Sequence, residues 1–198
     1  MLLPALAKAR SKAKAISCAS NLKQVGTCFL FYQNDFNDFF PPYTMFGGLT
    51  WVWGFCSFQY ADSKTFVCPT YINNISTSSG GYGYNYMVLA WHKDALANIN
   101  RCVSAAKQYV VMDKSDAIGT TVYSYQPGSD TGRAAPRHEQ TLNMLYADDH
   151  VEGFFIANIL NVYGTGTWNS APLAGTIGRS DKKSTAPSVV NNGWSQIR

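Results

Sequence analysis

The architecture of this chain follows from residues 1–40, which read MLLPALAKARSKAKAISCASNLKQVGTCFLFYQNDFNDFF. Apolar residues recur in this stretch at steps of three and four, the spacing that places side chains on one face of an α-helix. The stripe comprises Leu2, Leu6, Ala9, Ala13 and Ile16, followed by Leu22, Val25, Phe29, Tyr32 and Phe36. We therefore predict one long N-terminal helix, with Pro4 near its start.

This helix is predicted to end between residues 34 and 38, because Pro41 and Pro42 cannot continue it. It would be about 50 Å long, and a head domain of this size cannot bury such a rod along its whole length. The first half is rich in alanine and lysine, whereas the second half is aromatic. We therefore assign residues 1–38 to a helix whose first half projects and whose second half packs on a globular, β-rich head formed by residues 39–198.

Composition supports a folded head with few charges. The chain has 198 residues, of which 46% are hydrophobic and 14% charged, and an average soluble protein has roughly 25% charged residues. Residues 1–40 contain five basic and two acidic side chains, and thus three of the four net positive charges. A basic helix can bind nucleic acid or an anionic membrane surface. We interpret this one as a solvated face next to a membrane and expect no nucleic-acid partner.

The rest of the chain has strand patterns. Residues 109–112 and 120–125 are β-branched and aromatic runs, and residues 144–147 and 150–154 flank an Asp148-Asp149 turn as in a hairpin. Beyond residue 164, Gly, Ser, Thr, Asn and Pro dominate, so we expect an irregular C-terminal region held by Trp168 and Trp194. The predicted class is α+β: a long N-terminal α-helix packed on an antiparallel β-sheet head.

Several segments of the chain resemble a known family. Residues 1–10 (MLLPALAKAR) and 18–26 (CASNLKQVG) are similar to the region that follows the hydrophobic stretch of prepilin-like proteins. The similarity is greatest to the type II secretion pseudopilins abundant in planctomycetes, verrucomicrobia and lentisphaerae. Residues 137–152 (RHEQTLNMLYADDHVE) resemble that group's His-x9-Asp-Gly motif, with Asp149 where Gly is usual. Shorter similarities occur at residues 66–69 (FVCP) and 82–86 (YGYNY).

The resemblance implies a pilin-like fold and a structural role, not an enzymatic one. It implies a subunit that packs through its helix with copies of itself or other pseudopilins and works with inner-membrane secretion machinery. The head would lie in the periplasm or at the cell surface of a bacterium. Family members carry a Gly-Phe-Thr-Leu-x-Glu processing site and an apolar membrane anchor before this helix. Neither is present here, so we expect either a shortened form or a start assigned downstream of the natural one.

Four residues near the predicted hairpin are candidates for a metal or catalytic site: His138, Asp148, Asp149 and His150. An Asp-oriented histidine can serve acid–base chemistry or bind a metal, but no nucleophile motif accompanies these residues. We favour a structural hydrogen bond from His138 to Asp148 or to a backbone carbonyl. We expect no cofactor, with calcium at Asp148-Asp149 or Asp113-Asp116 as the alternative.

The five cysteines contain no Cys-x-x-Cys pair, which disfavours zinc ribbons and thioredoxin-type sites. Cys56 and Cys68 are candidates for a disulfide that closes a small loop. Buried free thiols are an equally good interpretation.

Exposed aromatic residues would favour a second function. If Trp51, Trp53, Tyr82 and Tyr84 were exposed, they could stack on sugars, and the chain would be a glycan- or surface-polymer-binding module. We favour the interpretation that they form an aromatic core. A hydrolase or metal enzyme centred on His138 ranks last.

Overall fold

The computed structural model describes residues 2–42, 45, 50–71, 81–85, 89, 96–102, 104–114 and 136–155. The predicted strand at 120–125, the irregular C-terminal region with Trp168 and Trp194, and Asp116 of the calcium candidate lie outside these residues.

The N-terminal helix is confirmed. Helix α1 spans Leu2–Asp35, and its end falls within the predicted interval. The chain leaves the helix through Asn37 and Asp38, which have φ angles of 52° and 65°, the left-handed conformation that commonly terminates helices and that Asn and Asp tolerate.

The two halves of α1 have different surroundings. No residue from Leu3 to Ser17 is buried, and the side chains of Leu6 and Ile16 are 67% and 71% exposed. From Cys18 onward, one face of the helix is buried through Leu22, Val25, Cys28, Phe29 and Tyr32. This face contacts the sheet and the 3-10 helix Ser63–Phe66. The second half is therefore core, whereas the first half extends beyond it.

The sheet is an antiparallel meander of four strands. Strands β1 (Tyr82–Tyr84), β2 (Tyr109–Asp113), β3 (Thr141–Tyr146) and β4 (Val151–Phe155) lie side by side in chain order. Helix and antiparallel sheet together give the predicted α+β layout. The predicted strand at 109–112 is confirmed as β2.

The predicted hairpin is also confirmed. Strands β3 and β4 pair from Thr141 opposite Phe155 to Leu145 opposite Val151, and residues 147–150 connect them. Asp149 has a φ of 68°, so the position at which the family motif has Gly does adopt a conformation that favours Gly.

The core is dominated by aromatic rings arranged around Phe29. Its ring lies 5.0 Å from that of Phe55, 5.2 Å from Tyr84 and 5.9 Å from Trp51, measured between centroids. Trp51 and Phe55 are on the short helix α2 (Trp51–Ser57). Such tilted and edge-on contacts are the preferred aromatic geometries, and they tie α1, α2 and β1 into one core.

Among the described residues, no helix combines the length and the apolar character required to cross a bilayer.

Candidate functional site

The four candidates near the hairpin do not meet in the structure. His150 pairs with Asp148 on the exposed turn, and Asp149 forms an ion pair with Lys23 of α1 at 2.7 Å. His138 faces a different set of partners in the interior. The four residues therefore do not form one site, because the turn directs Asp148 and His150 toward solvent while His138 precedes β3 at its other end.

The structure instead brings together four buried residues: Cys18, Cys68, Asp113 and His138. One ligand atom from each lies within 4.8 Å of all the others, and they are the one such group of three or more among the described residues. The four come from four different elements, which are α1, the loop after the 3-10 helix, the end of β2 and the turn before β3. We refer to them as the buried cluster.

Cys18 is the first buried residue of α1 from Leu3 onward. Its thiol donates to Asp113 Oδ1 at 3.3 Å, and the hydroxyl of buried Tyr82 donates to its sulfur at 3.3 Å. Helix α1 is also tied to the loop that holds Cys68, because Asn21 Nδ2 donates to the carbonyl oxygen of Val67 at 2.8 Å. The cluster therefore lies where the helix enters the head.

Cys68 faces His138 across the cluster. Its sulfur lies 3.4 Å from His138 Nε2 and 3.1 Å from the hydroxyl of Thr70. His138 Nδ1 is buried and has no hydrogen-bond partner in the part of the chain that the structure describes. The polar contacts of this ring are thus made by Nε2.

Asp113 joins two strands to the cluster. Its Oδ2 accepts a hydrogen bond from the backbone N–H of Asn143 on β3 at 2.9 Å and lies 3.8 Å from His138 Nε2. At the end of β2, the Asp113 carboxylate accepts the bond from the Asn143 N–H that a main-chain carbonyl oxygen would otherwise accept. Because this bond and the strand pairing both constrain it, Asp113 has little freedom to turn away.

A strained turn positions His138. The residue pairs with Thr141 across a two-residue connection, and Glu139 and Gln140 have φ angles of 51° and 65°. Two successive positive φ values are required by type I′ turns, which favour Asn-Gly. For residues with a Cβ the left-handed conformation costs roughly 1–2 kcal/mol each. Such strain persists where the surrounding structure enforces it, often at functional positions.

Burial and close neighbours shift the pKa values of the acidic groups in the buried cluster. Burial, followed by the charge of Cys68, raises the pKa of Asp113 to about 7, although the Asn143 N–H opposes this. The neighbouring thiol of Cys68, followed by burial, raises the pKa of Cys18. The neighbouring thiol of Cys18 lowers the pKa of Cys68.

The pKa of His138 is raised even though burial, the largest single effect, lowers it. The hydrogen bond with Cys68 and the charge of Asp113 together outweigh that burial.

The buried cluster combines two sulfurs, a carboxylate and an imidazole, which are the usual donor types for a transition metal.

The candidate disulfide between Cys56 and Cys68 is not formed in the structure, where all five cysteines are free. Cys68 is buried in the cluster, whereas Cys56 lies half-buried on α2. The alternative of free thiols therefore describes both residues.

Three of the four aromatic candidates for sugar stacking are interior. Trp51, Tyr82 and Tyr84 are 0% exposed, and Trp53 alone of the four is 38% exposed. The aromatic-core interpretation therefore holds for these three.

Sequence reasoning named Cys68, Asp113 and His138 separately but never together, and it gave Cys18 no site role. One signal was available. Cys18, Cys68 and His138 each lie in a segment that carries the family resemblance, at residues 18–26, 66–69 and 137–152. Cysteine and histidine are common metal-ligand types, so their occurrence in these three segments was the available indication of a shared site.

No protein-family model, no curated protein and no solved structure matches this chain.

Proposed function

We propose that this chain is a structural, pseudopilin-like subunit of a type II secretion or type IV pilus-like assembly in the bacterial envelope, and not an enzyme. The supporting observation is the division of α1. A helix of 34 residues uses its second half as core of the head and has no buried residue from Leu3 to Ser17. That is the arrangement a pilin-like subunit needs, because the projecting half packs against other subunits.

The exposed half of α1 carries apolar side chains whose contact with water is unfavourable. Leu3, Leu6 and Ile16 are 81%, 67% and 71% exposed. Burying a leucine or isoleucine side chain stabilises an assembly by about 1.5–3 kcal/mol, so contacts of this helix with a second copy would contribute substantially to association. Basic residues beside the stripe would face solvent or lipid head groups.

The first test concerns association through this helix. The full natural gene, including any codons upstream of Met1, is expressed in its host with two differently tagged copies. We expect chemical cross-linking to yield multimers that contain both tags. The double variant Leu6→Gln, Ile16→Gln should lower their yield by about tenfold or more, because association depends on a few well-packed apolar anchors.

Lys8→Gln is the matched control. Lys8 is exposed and lies about 160° around the helix from Leu6, so multimers should persist in this variant. A full-length product that never yields mixed multimers, or a double variant that assembles as well as the natural protein, would reject the proposed function.

The second test is the genomic sequence upstream of Met1. We expect it to encode an apolar stretch preceded by a prepilin-type processing site. A stop codon in frame directly before Met1 would contradict this.

A further inference from the structure

We propose that the buried cluster of Cys18, Cys68, Asp113 and His138 is a structural zinc site that clamps helix α1 to the head. This inference does not depend on the proposed function. It rests on the geometry, burial and chemistry of the four side chains.

The distances suit tetrahedral coordination. With zinc bound to sulfur at about 2.3 Å and to nitrogen or oxygen at about 2.0 Å, neighbouring ligand atoms lie about 3.3–3.8 Å apart. Cys18 Sγ lies 3.3 Å from Asp113 Oδ1, Cys68 Sγ lies 3.4 Å from His138 Nε2, and His138 Nε2 lies 3.8 Å from the other Asp113 oxygen, Oδ2. When one ligand atom is taken from each residue, all four lie within 4.8 Å of one another. Small side-chain adjustments would suffice to place all four around one ion.

The donor set selects zinc over calcium. Two thiolates and an imidazole are ligands for zinc, whereas calcium requires six or more oxygen atoms. Four protein ligands leave no coordination position open for water or substrate, which is typical of structural and not of catalytic zinc.

Burial explains why a cation would stabilise this cluster. The side chains of His138 and Asp113 are 1% and 0% exposed, and both cysteines are 0% exposed. With both thiols and the carboxyl ionised, the site would hold three negative charges, and an unpaired buried charge is strongly unfavourable. A divalent cation would offset two of them.

Neighbouring donors support the ligand atoms. The Tyr82 hydroxyl donates to the Cys18 sulfur, the Thr70 hydroxyl lies beside the Cys68 sulfur, and the Asn143 N–H donates to Asp113. Hydrogen bonds of this kind orient metal ligands and tune their charge. A disulfide between Cys18 and Cys68 would use only two of the four groups and would leave Asp113 and His138 buried without a metal partner.

The position of the site indicates that the metal would hold α1 to the head. Cys18 lies where the projecting half of α1 becomes the packed half. A metal there would connect this junction directly to β2, to the turn before β3 and to the loop after the 3-10 helix. Force applied to the projecting helix would then be transmitted to the head through metal–ligand bonds.

The test is metal binding by the full chain. The protein, purified under reducing conditions and dialysed against metal-free buffer after zinc addition, should retain about one zinc ion per chain by elemental analysis. Replacement by Co²⁺ should give the intense visible absorption of a tetrahedral, thiolate-bound ion. Asp113→Asn and His138→Gln, which preserve side-chain size approximately, should each weaken zinc binding by about tenfold or more.

Cys28→Ala provides the matched control. Cys28 is a buried thiol on the same helix, and its sulfur bonds to the carbonyl oxygen of Gln24, outside the cluster. This variant should retain its zinc, which separates loss of a ligand from loss of packing. Circular dichroism is recorded for each variant beside its metal content and shows whether the variant has folded.

Two results would overturn the proposal. One is a folded, reduced protein that binds neither zinc nor cobalt. The other is an intact mass, measured on protein isolated from its natural compartment, that lacks two hydrogens and maps to a Cys18–Cys68 disulfide.

Discussion

Gly26 lies where α1 meets the turn between β3 and β4. A Cβ at this position would stand 1.9 Å from Asp149 Oδ1 and 2.9 Å from Leu145 Cδ1. Asp149 cannot easily retreat, because Lys23 bonds both its carboxylate and its carbonyl oxygen. The absence of a side chain at residue 26 is therefore what allows the turn to pack against the helix.

Gly26→Ala should destabilise the protein by about 1–3 kcal/mol, the usual effect of overpacking. This outweighs the gain of about 0.5–1 kcal/mol expected from replacing glycine in a helix. The measurement is the free energy of unfolding in urea.

Asp149→Gly supplies the control. It removes the clashing oxygen, and glycine accepts the φ of 68° at this position. In the Asp149→Gly background, Gly26→Ala should be less destabilising by at least about 1 kcal/mol, because only the contact with Leu145 Cδ1 remains. Equal effects of Gly26→Ala in both backgrounds would disprove the contact.

At the scale of the element, α1 contains two leucines in opposite surroundings. Leu22 is 0% exposed, whereas Leu6 is 67% exposed. The same helix is thus part of the core in one half and free of it in the other, so its residues should respond differently to truncation.

Leu22→Ala should lower the free energy of unfolding by about 2–5 kcal/mol, because it removes buried methyl groups and leaves a cavity. Leu6→Ala makes the identical chemical change and should alter it by no more than about 0.5 kcal/mol. Denaturant unfolding of the monomeric chain measures both. Comparable losses in the two variants would mean that the first half of α1 contributes to the stability of the head.

The order of the strands also belongs to this scale. Tyr109, Val111 and Met112 are β-branched or apolar residues that any sheet would accept, which is why β2 was predictable. Its pairing with β1 on one side and β3 on the other was not, since periodicity describes a strand and does not identify its neighbours.

At the scale of the whole molecule, buried tyrosines make the fold sensitive to alkali. Burial, followed by the charge of Tyr32, raises the pKa of Tyr84 well above 10.0, and burial together with Tyr146 does the same to the pKa of Tyr109. In the folded state both hydroxyls stay protonated, whereas in the unfolded chain they release their protons near pH 10. Unfolding therefore releases protons in alkaline solution.

Stability should consequently be unaffected by these tyrosines below about pH 9 and should fall above about pH 10, by about 1.4 kcal/mol per pH unit for each buried tyrosine. Urea unfolding across this range measures the slope. Tyr84→Phe removes one titrating group and the 2.9 Å hydrogen bond from Tyr84 to the carbonyl oxygen of Pro41. It should be less stable by about 1 kcal/mol at neutral pH but should show a shallower alkaline slope. An unchanged slope would contradict the assignment.

The sequence by itself determined the features that arise from local periodicity and local sterics. These are the helix with its end before Pro41, strand β2, and the hairpin whose turn places a tolerant Asp149 at positive φ. The projecting start of α1 was also predictable from composition, since it is rich in alanine and lysine whereas the second half is aromatic. Each depends on residues within about ten positions of one another, where backbone geometry dictates which side chains share a face.

Only the tertiary structure decided which chemical groups meet. Cys18 and Asp113 are 95 residues apart, and Cys68 and His138 are 70 apart, so no spacing rule could join them. The same holds for His138, for which Asp148 or a backbone carbonyl was the expected partner. Its ring instead contacts Cys68 and Asp113, and Asp148 pairs with His150 on the surface. Burial of several polar groups at one point is a property of the packed core. The sequence contains the four residues of the buried cluster, but only the packing of α1 on the sheet brings them together.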